Sequence, residues 1–201
     1  MIKTIIFDLG RVIVPFDFTR SYNRLSPLCG LTHEQIPEKL RPTGLVQKFE
    51  SGEIEPEDFV REFSKVLNVD LEYADFCDIW SSIFLPETLI SDDFVEALRR
   101  RHRVLLLSNT NAIHFEMIEA NYPILRHFDD KILSYKVGAM KPSPRIYEEA
   151  IRRANCEPSE IFFTDDIPQY VEGAKMAGID AVVFENAAQI QRELSARGVT
   201  W

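Results

Sequence analysis

The segment Thr4, Ile5, Ile6, Phe7 stops abruptly at Asp8. Consecutive β-favouring residues without alternating polarity describe a strand buried on both faces, as in parallel sheets covered by helices. An acid at the end of such a strand lies where an open α/β sheet places its chemistry. Similar runs recur at residues 104–107, ahead of Ser108, Asn109 and Thr110, and at 161–163, ahead of Asp165 and Asp166. A further run covers 181–184, and the segment 132–137 precedes Lys141. Helical periodicity appears at 145–154 and at 169–177, the latter halted by Gly178. Strands alternating with helices predict an α/β fold, a doubly wound, Rossmann-like parallel sheet.

Residues 16–86 break this rhythm. They carry no convincing strand and read as helices at 32–40, 45–50, 56–67 and 71–84. Pro56, followed by the acids Glu57 and Asp58, is a good helix start. The expected organisation is an α/β core of residues 1–15 and 87–201 with a helical subdomain, 16–86, inserted after the first strand. A helix at 91–101 leads back into the sheet.

Composition narrows the partners. A net charge of −9 at pH 7 argues against nucleic acid and anionic membrane, neither of which gains from an acidic surface. A small anion remains acceptable where a cation offsets the field. The 3 cysteines, Cys29, Cys77 and Cys156, form no CxxC and read as reduced thiols. No signal peptide is legible ahead of the first strand and no apolar run approaches the roughly 18 residues of a membrane span, so the expectation is a cytoplasmic protein, monomeric or homodimeric.

The polar groups at the strand ends suit one chemistry. A carboxylate attacks phosphorus only when the charge of the phosphate is neutralised, which calls for a divalent metal and a nearby ammonium. Asp8 supplies a nucleophile. The adjacent acids Asp165 and Asp166 repel one another unless a hard cation such as Mg2+ lies between oxygen ligands, and Lys141 offers the ammonium. Ser108 and the amide of Asn109 can donate to phosphate oxygens ahead of a helix.

These motifs, FDLGRV at residues 7–12, LLSNT at 106–110, KPSPRIY at 141–147 and FFTDD at 162–166, make the chain resemble the haloacid dehalogenase superfamily over essentially its whole length. The resemblance implies a Mg2+-dependent phosphatase acting on a small phosphorylated metabolite through an aspartyl phosphate. By it, Asp8 is nucleophile and metal ligand, Gly10 a metal ligand through its carbonyl, and Asp166 a direct ligand. Asp165 belongs to the outer shell, Ser108 and Asn109 bind phosphate, and Lys141 stabilises nucleophile and phosphate. The inserted helices, with FESGEI at 49–54, resemble the cap of the subgroup holding bacterial α-glucose-1-phosphate phosphatase and the phosphatase domain of soluble epoxide hydrolase. Such a cap closes over the site and selects the leaving group.

Two positions depart from the family pattern. Gly10 stands where most members have a second aspartate, the acid that protonates the leaving oxygen; general acid catalysis is worth roughly 10²- to 10⁴-fold. Among substitutes, Asp17 reads foremost as a helix cap or solvated loop carboxylate, and His33 and His114 as structural histidines. Tyr170 stands where an asparagine or aspartate usually supports the metal, and it cannot imitate a carboxylate at neutral pH. Two further readings stay open. One is cleavage of a carbon–halogen bond or, with Lys39, Lys48 or Lys65 as a Schiff-base lysine, of a carbon–phosphorus bond. The other is a catalytically weak binding or regulatory protein.

Overall fold

The structure, a computed structural model, describes residues 1–201. Its centre is a five-stranded sheet formed by β1 (Thr4–Phe7), β2 (Arg103–Ser108), β3 (Asp130–Leu133), β4 (Ile161–Asp165) and β5 (Asp180–Val183). The order is β3-β2-β1-β4-β5 and every pairing is parallel. β1 is central, which explains its unbroken burial: all four residues are enclosed. Phe7 pairs in register with Leu106 and Thr164, so the residues that follow each of these strands emerge along one edge.

Helices cover both faces. Successive strand residues alternate between two apolar cores: Ile5, Phe7, Val104, Leu106 and Phe162 face one, Ile6, Leu105, Leu107, Ile161 and Phe163 the other. Between β1 and β2 the chain forms α1 (Phe18–Cys29), α2 (Gln35–Leu40), α3 (Leu45–Glu50), α4 (Pro56–Leu67) and α5 (Tyr73–Ser81), then α6 (Asp92–Arg99). After β2 come α7 (Ala112–Asn121), the single turn α8 (Ser134–Val137), α9 (Pro144–Ala154), α10 (Pro168–Met176) and α11 (Ala187–Ala196).

The helices α1–α5 have a core of their own, built on Phe49, Phe59, Phe63, Phe76 and Trp80. Their rings pack closely, with Phe49 and Phe59 stacked at 4.1 Å and Phe63 edge-on to Phe76 at 4.9 Å. The chain enters and leaves this module along adjacent segments. Asp17 N donates to Ile83 O and Leu85 N to Pro15 O, both at 2.9 Å, and Phe16 faces Phe84 as an antiparallel bridge.

Several elements differ from the sequence reading. The segment 132–137 is not one strand: β3 ends at Leu133, and residues 134–137 form a helical turn closed by left-handed Gly138. Lys141 therefore lies in a turn three residues beyond Gly138, not at a strand end. The helix expected at 32–40 begins at Gln35, and that expected at 71–84 is confined to Tyr73–Ser81. Helices α1, α7 and α11 are additional to those expected from the sequence. The reason is plainest for α7: Phe115 and Ile118 face the sheet while Ile113 joins the module core, so apolar residues occupy more than one side.

Candidate active site

Lys141 holds the centre of the site. Its side chain is 1% exposed, and its ammonium donates to Asp8 Oδ1 at 2.6 Å, Asp165 Oδ2 at 2.5 Å and Leu107 O at 3.1 Å. An ammonium has three donors, and all three are used. The rings of Tyr170 and Phe163 lie 5.1 and 5.7 Å from the nitrogen. Burial works against a charged lysine, but the two carboxylates prevail and its pKa is raised, so it stays an ammonium.

The backbone of Lys141 is clamped as well. Asn109 Oδ1 accepts from Lys141 N at 2.8 Å, and Asn109 Nδ2 donates to Lys141 O at 3.0 Å. This two-sided amide contact fixes a turn residue to the end of β2. It commits the Asn109 side chain to positioning lysine, while its backbone amide has no backbone partner. Ser108 is buried beside it, with a long 3.4 Å contact from Oγ to Asn109 O.

Two carboxylates bind the ammonium and a third stands beside them. Oxygens of Asp8, Asp165 and Asp166 lie within 4.8 Å of one another. Asp165 has both oxygens engaged, Oδ2 by Lys141 and Oδ1 by Ile167 N at 2.9 Å. Burial raises the pKa of Asp8 to about 7, against the opposing pull of Lys141 and with the help of Asp165. Asp166, half-buried, is raised by burial and by Asp165. Gly10 adds a neutral oxygen: the bridge to Val14 uses Leu9 O and Arg11 N, and the Gly10 carbonyl accepts no hydrogen bond. Hard oxygen donors with excess negative charge and an orphaned carbonyl suit a divalent cation.

Above this edge lies a cavity of about 80 Å³ between core and module. Leu9, Gly10, Ser108, Asn109 and Thr110 form its floor; Phe16, Phe18, Val46, Glu50, Trp80 and Phe84 form walls, with His114 behind. A Cβ on Gly10 would lie 2.8 Å from Phe16 Cε1, so the aromatic wall occupies the space a side chain there would need. Arg11, left-handed at φ 58, places its guanidinium 4.8 Å from the centre of the same ring.

The remaining candidates do not join the constellation. Asp17 caps α1, accepting from Thr19 N at 2.9 Å and Thr19 Oγ1 at 2.7 Å, and these bonds hold its pKa down. His114 is buried with both nitrogens occupied, Nε2 by Trp80 O and Nδ1 by Asn111 Nδ2, each at 3.1 Å. A carbonyl only accepts, so Nε2 carries the proton and the ring is neutral; burial lowers its pKa to about 4. His33 pairs with Glu34 at the surface. The Tyr170 hydroxyl accepts from Asn109 Nδ2 at 3.3 Å, which ties it to the lysine clamp. Lys39, Lys48 and Lys65 are exposed and outside the cavity lining.

Sequence reasoning did not single out Glu50, Phe16, Trp80 or Ser134. Ser134 Oγ receives Thr110 N at 2.9 Å and lies 2.6 Å from Glu50 O and 2.9 Å from Thr110 O, tying the module to the ends of β2 and β3. The motif at 49–54 was the available signal for Glu50; nothing in the sequence marks Ser134.

Known proteins resemble this chain in sequence and in fold. The model of haloacid dehalogenase-like hydrolases matches residues 2–178. The D-ribitol-5-phosphate phosphatase of Bacteroides thetaiotaomicron is 29% identical, over 97% of this chain and 98% of that protein. A HAD family enzyme of the same organism, solved with magnesium and inorganic phosphate, superposes with a TM-score of 0.84 at 26% identity, covering 92% of this chain and 96% of that one. A HAD-like hydrolase from Porphyromonas gingivalis gives a TM-score of 0.82 at 30% identity, covering 96% and 98%.

Proposed function

The chain belongs to the haloacid dehalogenase-like hydrolases, and we propose that it is a magnesium-dependent phosphatase acting on a small sugar or polyol phosphate through an aspartyl phosphate at Asp8. The observation that carries this reading is the buried ammonium of Lys141 shared between Asp8 and Asp165, with Asp166 alongside, at one edge of a parallel sheet. The relative that acts on D-ribitol 5-phosphate supports the substrate class.

Asp8, Asp166 and the Gly10 carbonyl would hold magnesium, which when bound neutralises phosphate charge and the mutual repulsion of the carboxylates. Asp8 forms a bond from a carboxylate oxygen to phosphorus while the ester oxygen departs. Lys141 pulls Asp8 toward its ionised form against burial and offsets charge on the transferring group. Ser108 and the Asn109 amide donate to phosphate oxygens at the end of β2. Asp165, bound to Lys141 and Ile167 N, acts from behind as an anchor for the lysine. Residues 16–86 serve as a cap whose aromatic wall excludes water from the leaving group.

The exposure of Lys39, Lys48 and Lys65 gives Schiff-base cleavage of phosphonates no lysine in the cavity. Phosphate release from a panel of pentitol, pentose and hexose phosphates tests the reading, with magnesium and with chelator. Turnover of at least one such ester, abolished by chelation and by Asp8→Asn, is expected. A folded protein that releases no phosphate from the panel or from p-nitrophenyl phosphate refutes it.

A further inference from the structure

We infer that Glu50 is the proton donor to the leaving oxygen, taking the place of the acid that Gly10 lacks. The inference rests on the phosphatase reading above and concerns one residue of the module.

Glu50 and Gly10 line the same cavity, with Ser108 and Asn109 on its floor. A leaving group attached to a phosphorus bound at that floor extends into this space. Glu50 is the only acidic side chain in the lining, and the walls around it, Phe16, Trp80 and Phe84 among them, are aromatic. The other titratable group there, His114, has both nitrogens committed and is neutral. Outside the lining, Tyr170 feels the charge of Glu50, while its own hydroxyl is held by Asn109. Beyond it lie Lys141, Asp8 and Asp165, bound to one another.

The carboxyl of Glu50 makes no hydrogen bond or ion pair; only its backbone oxygen is bound, by Ser134 Oγ. A half-buried carboxyl set among aromatic walls without a counter-charge is costly to a fold and is accounted for when it serves a ligand. Its surroundings alone, burial with no charged partner, raise its pKa to about 7, so a proton is present at neutral pH and is given up readily. The residue is also held in place. The Ser134 contact joins its carbonyl to Thr110, two residues from Ser108, and Gly52 presses so closely on Tyr135 that any Cβ there would meet its carbonyl oxygen.

The chemistry balances without another reactant. As the Asp8 oxygen bonds to phosphorus and the phosphorus–ester bond breaks, the departing oxygen takes the Glu50 proton, giving alcohol, aspartyl phosphate and a Glu50 carboxylate. Water then attacks phosphorus and gives its proton to Glu50. This releases inorganic phosphate and restores the Asp8 carboxylate and the Glu50 acid.

The test compares two esters, p-nitrophenyl phosphate, whose phenolate leaves unaided, and glycerol 3-phosphate, whose alkoxide needs a proton. Glu50→Gln keeps size and polarity but donates no acidic proton. It is expected to lower kcat/KM for glycerol 3-phosphate by roughly 10²- to 10⁴-fold and to leave kcat/KM for p-nitrophenyl phosphate, which reports formation of the aspartyl phosphate alone, within about threefold of wild type, while kcat for both esters falls because the water step has lost its base. Parallel losses of kcat/KM on both esters, or no loss on either, overturn the inference. So does a wild-type enzyme that turns over p-nitrophenyl phosphate but not glycerol 3-phosphate or any other alkyl ester, a result that needs no variant. If the glutamine protein does not fold, Glu50→Ala carries the same comparison. Inactivity of the wild type on both esters with magnesium strikes instead at the phosphatase reading.

Discussion

Replacing Lys141 with methionine removes the ammonium while keeping the length and apolar stem of the side chain. The structure sets the cost. Two charge-assisted bonds, to Asp8 at 2.6 Å and Asp165 at 2.5 Å, and one to the Leu107 carbonyl are lost together from a site almost closed to solvent. Hydrogen bonds to charged groups contribute about 1.5–3 kcal/mol each, and removing one partner from a buried ion pair costs about 3–5 kcal/mol. Both routes lead to a loss of about 4 kcal/mol, a large part of the roughly 5–15 kcal/mol that holds a domain together. With an m-value of about 2 kcal/mol/M, the urea midpoint falls by about 2 M at pH 8.

The loss has a pH signature. The pKa of Asp8, already raised by burial to about 7, rises further once Lys141 is gone, whereas in the unfolded chain it returns to its ordinary 3.8. Between those values the folded variant binds a proton that the unfolded chain does not, so stability falls as pH rises. The deficit is therefore smaller at pH 5, where Asp8 carries its proton, than at pH 8. Adding Asp165→Asn removes one of the two stranded charges and recovers part of the stability, but no turnover. Urea titrations of the single and double variants at both pH values measure these quantities. A midpoint shift under about 0.5 M, or the same deficit at pH 5 and pH 8, would refute the account of Lys141 as the charge that holds the site together.

Three further outcomes follow from the same geometry. Asp8→Asn abolishes phosphate release yet raises stability at pH 8, because it removes a buried carboxylate whose raised pKa opposes folding above pH 4; urea midpoints at pH 5 and pH 8 check that the gain grows with pH. Gly10→Asp places a Cβ 2.8 Å from Phe16 Cε1 and costs roughly 1–3 kcal/mol of overpacking without raising turnover. Only when combined with Phe16→Ala does the new acid improve alkyl esters over Phe16→Ala alone, as steady-state kinetics will show. The neutral His114 has a folded pKa of about 4, below its ordinary 6.5, so its contribution is complete above pH 6.5 and is lost as pH falls toward 4. The loss is about 3 kcal/mol, and chemical denaturation at pH 7 and pH 4.5 should show a smaller decline in His114→Gln than in wild type.

The sequence by itself determined the class of fold. Runs such as Thr4–Phe7 favour β structure without alternating polarity, as a strand covered on both faces does, and the observed sheet is parallel throughout. It also drew attention to Asp8, Ser108 and the acids at 165 and 166, because strand-end positions are set by local pattern and parallel strands share an edge. Lys141 stands out by its chemistry, although the segment before it is not one strand: Ile132 and Leu133 end β3, and Ser134–Val137 form a helical turn too short to show a period.

What the tertiary structure decided is how charges and space are shared. No spacing reveals that Asn109 grips the backbone of Lys141, that Asp165 has both oxygens taken, or that His114 is neutral; each depends on contacts between residues far apart in the chain. The fate of Gly10 is the clearest case. In the sequence it is a missing acid, whereas in the fold it is the place where Phe16 closes a chamber that holds a different carboxyl, Glu50. Pattern encodes which face of an element is apolar. It does not encode which side chains from separate elements meet in one small volume, and reactivity at this site depends on that meeting.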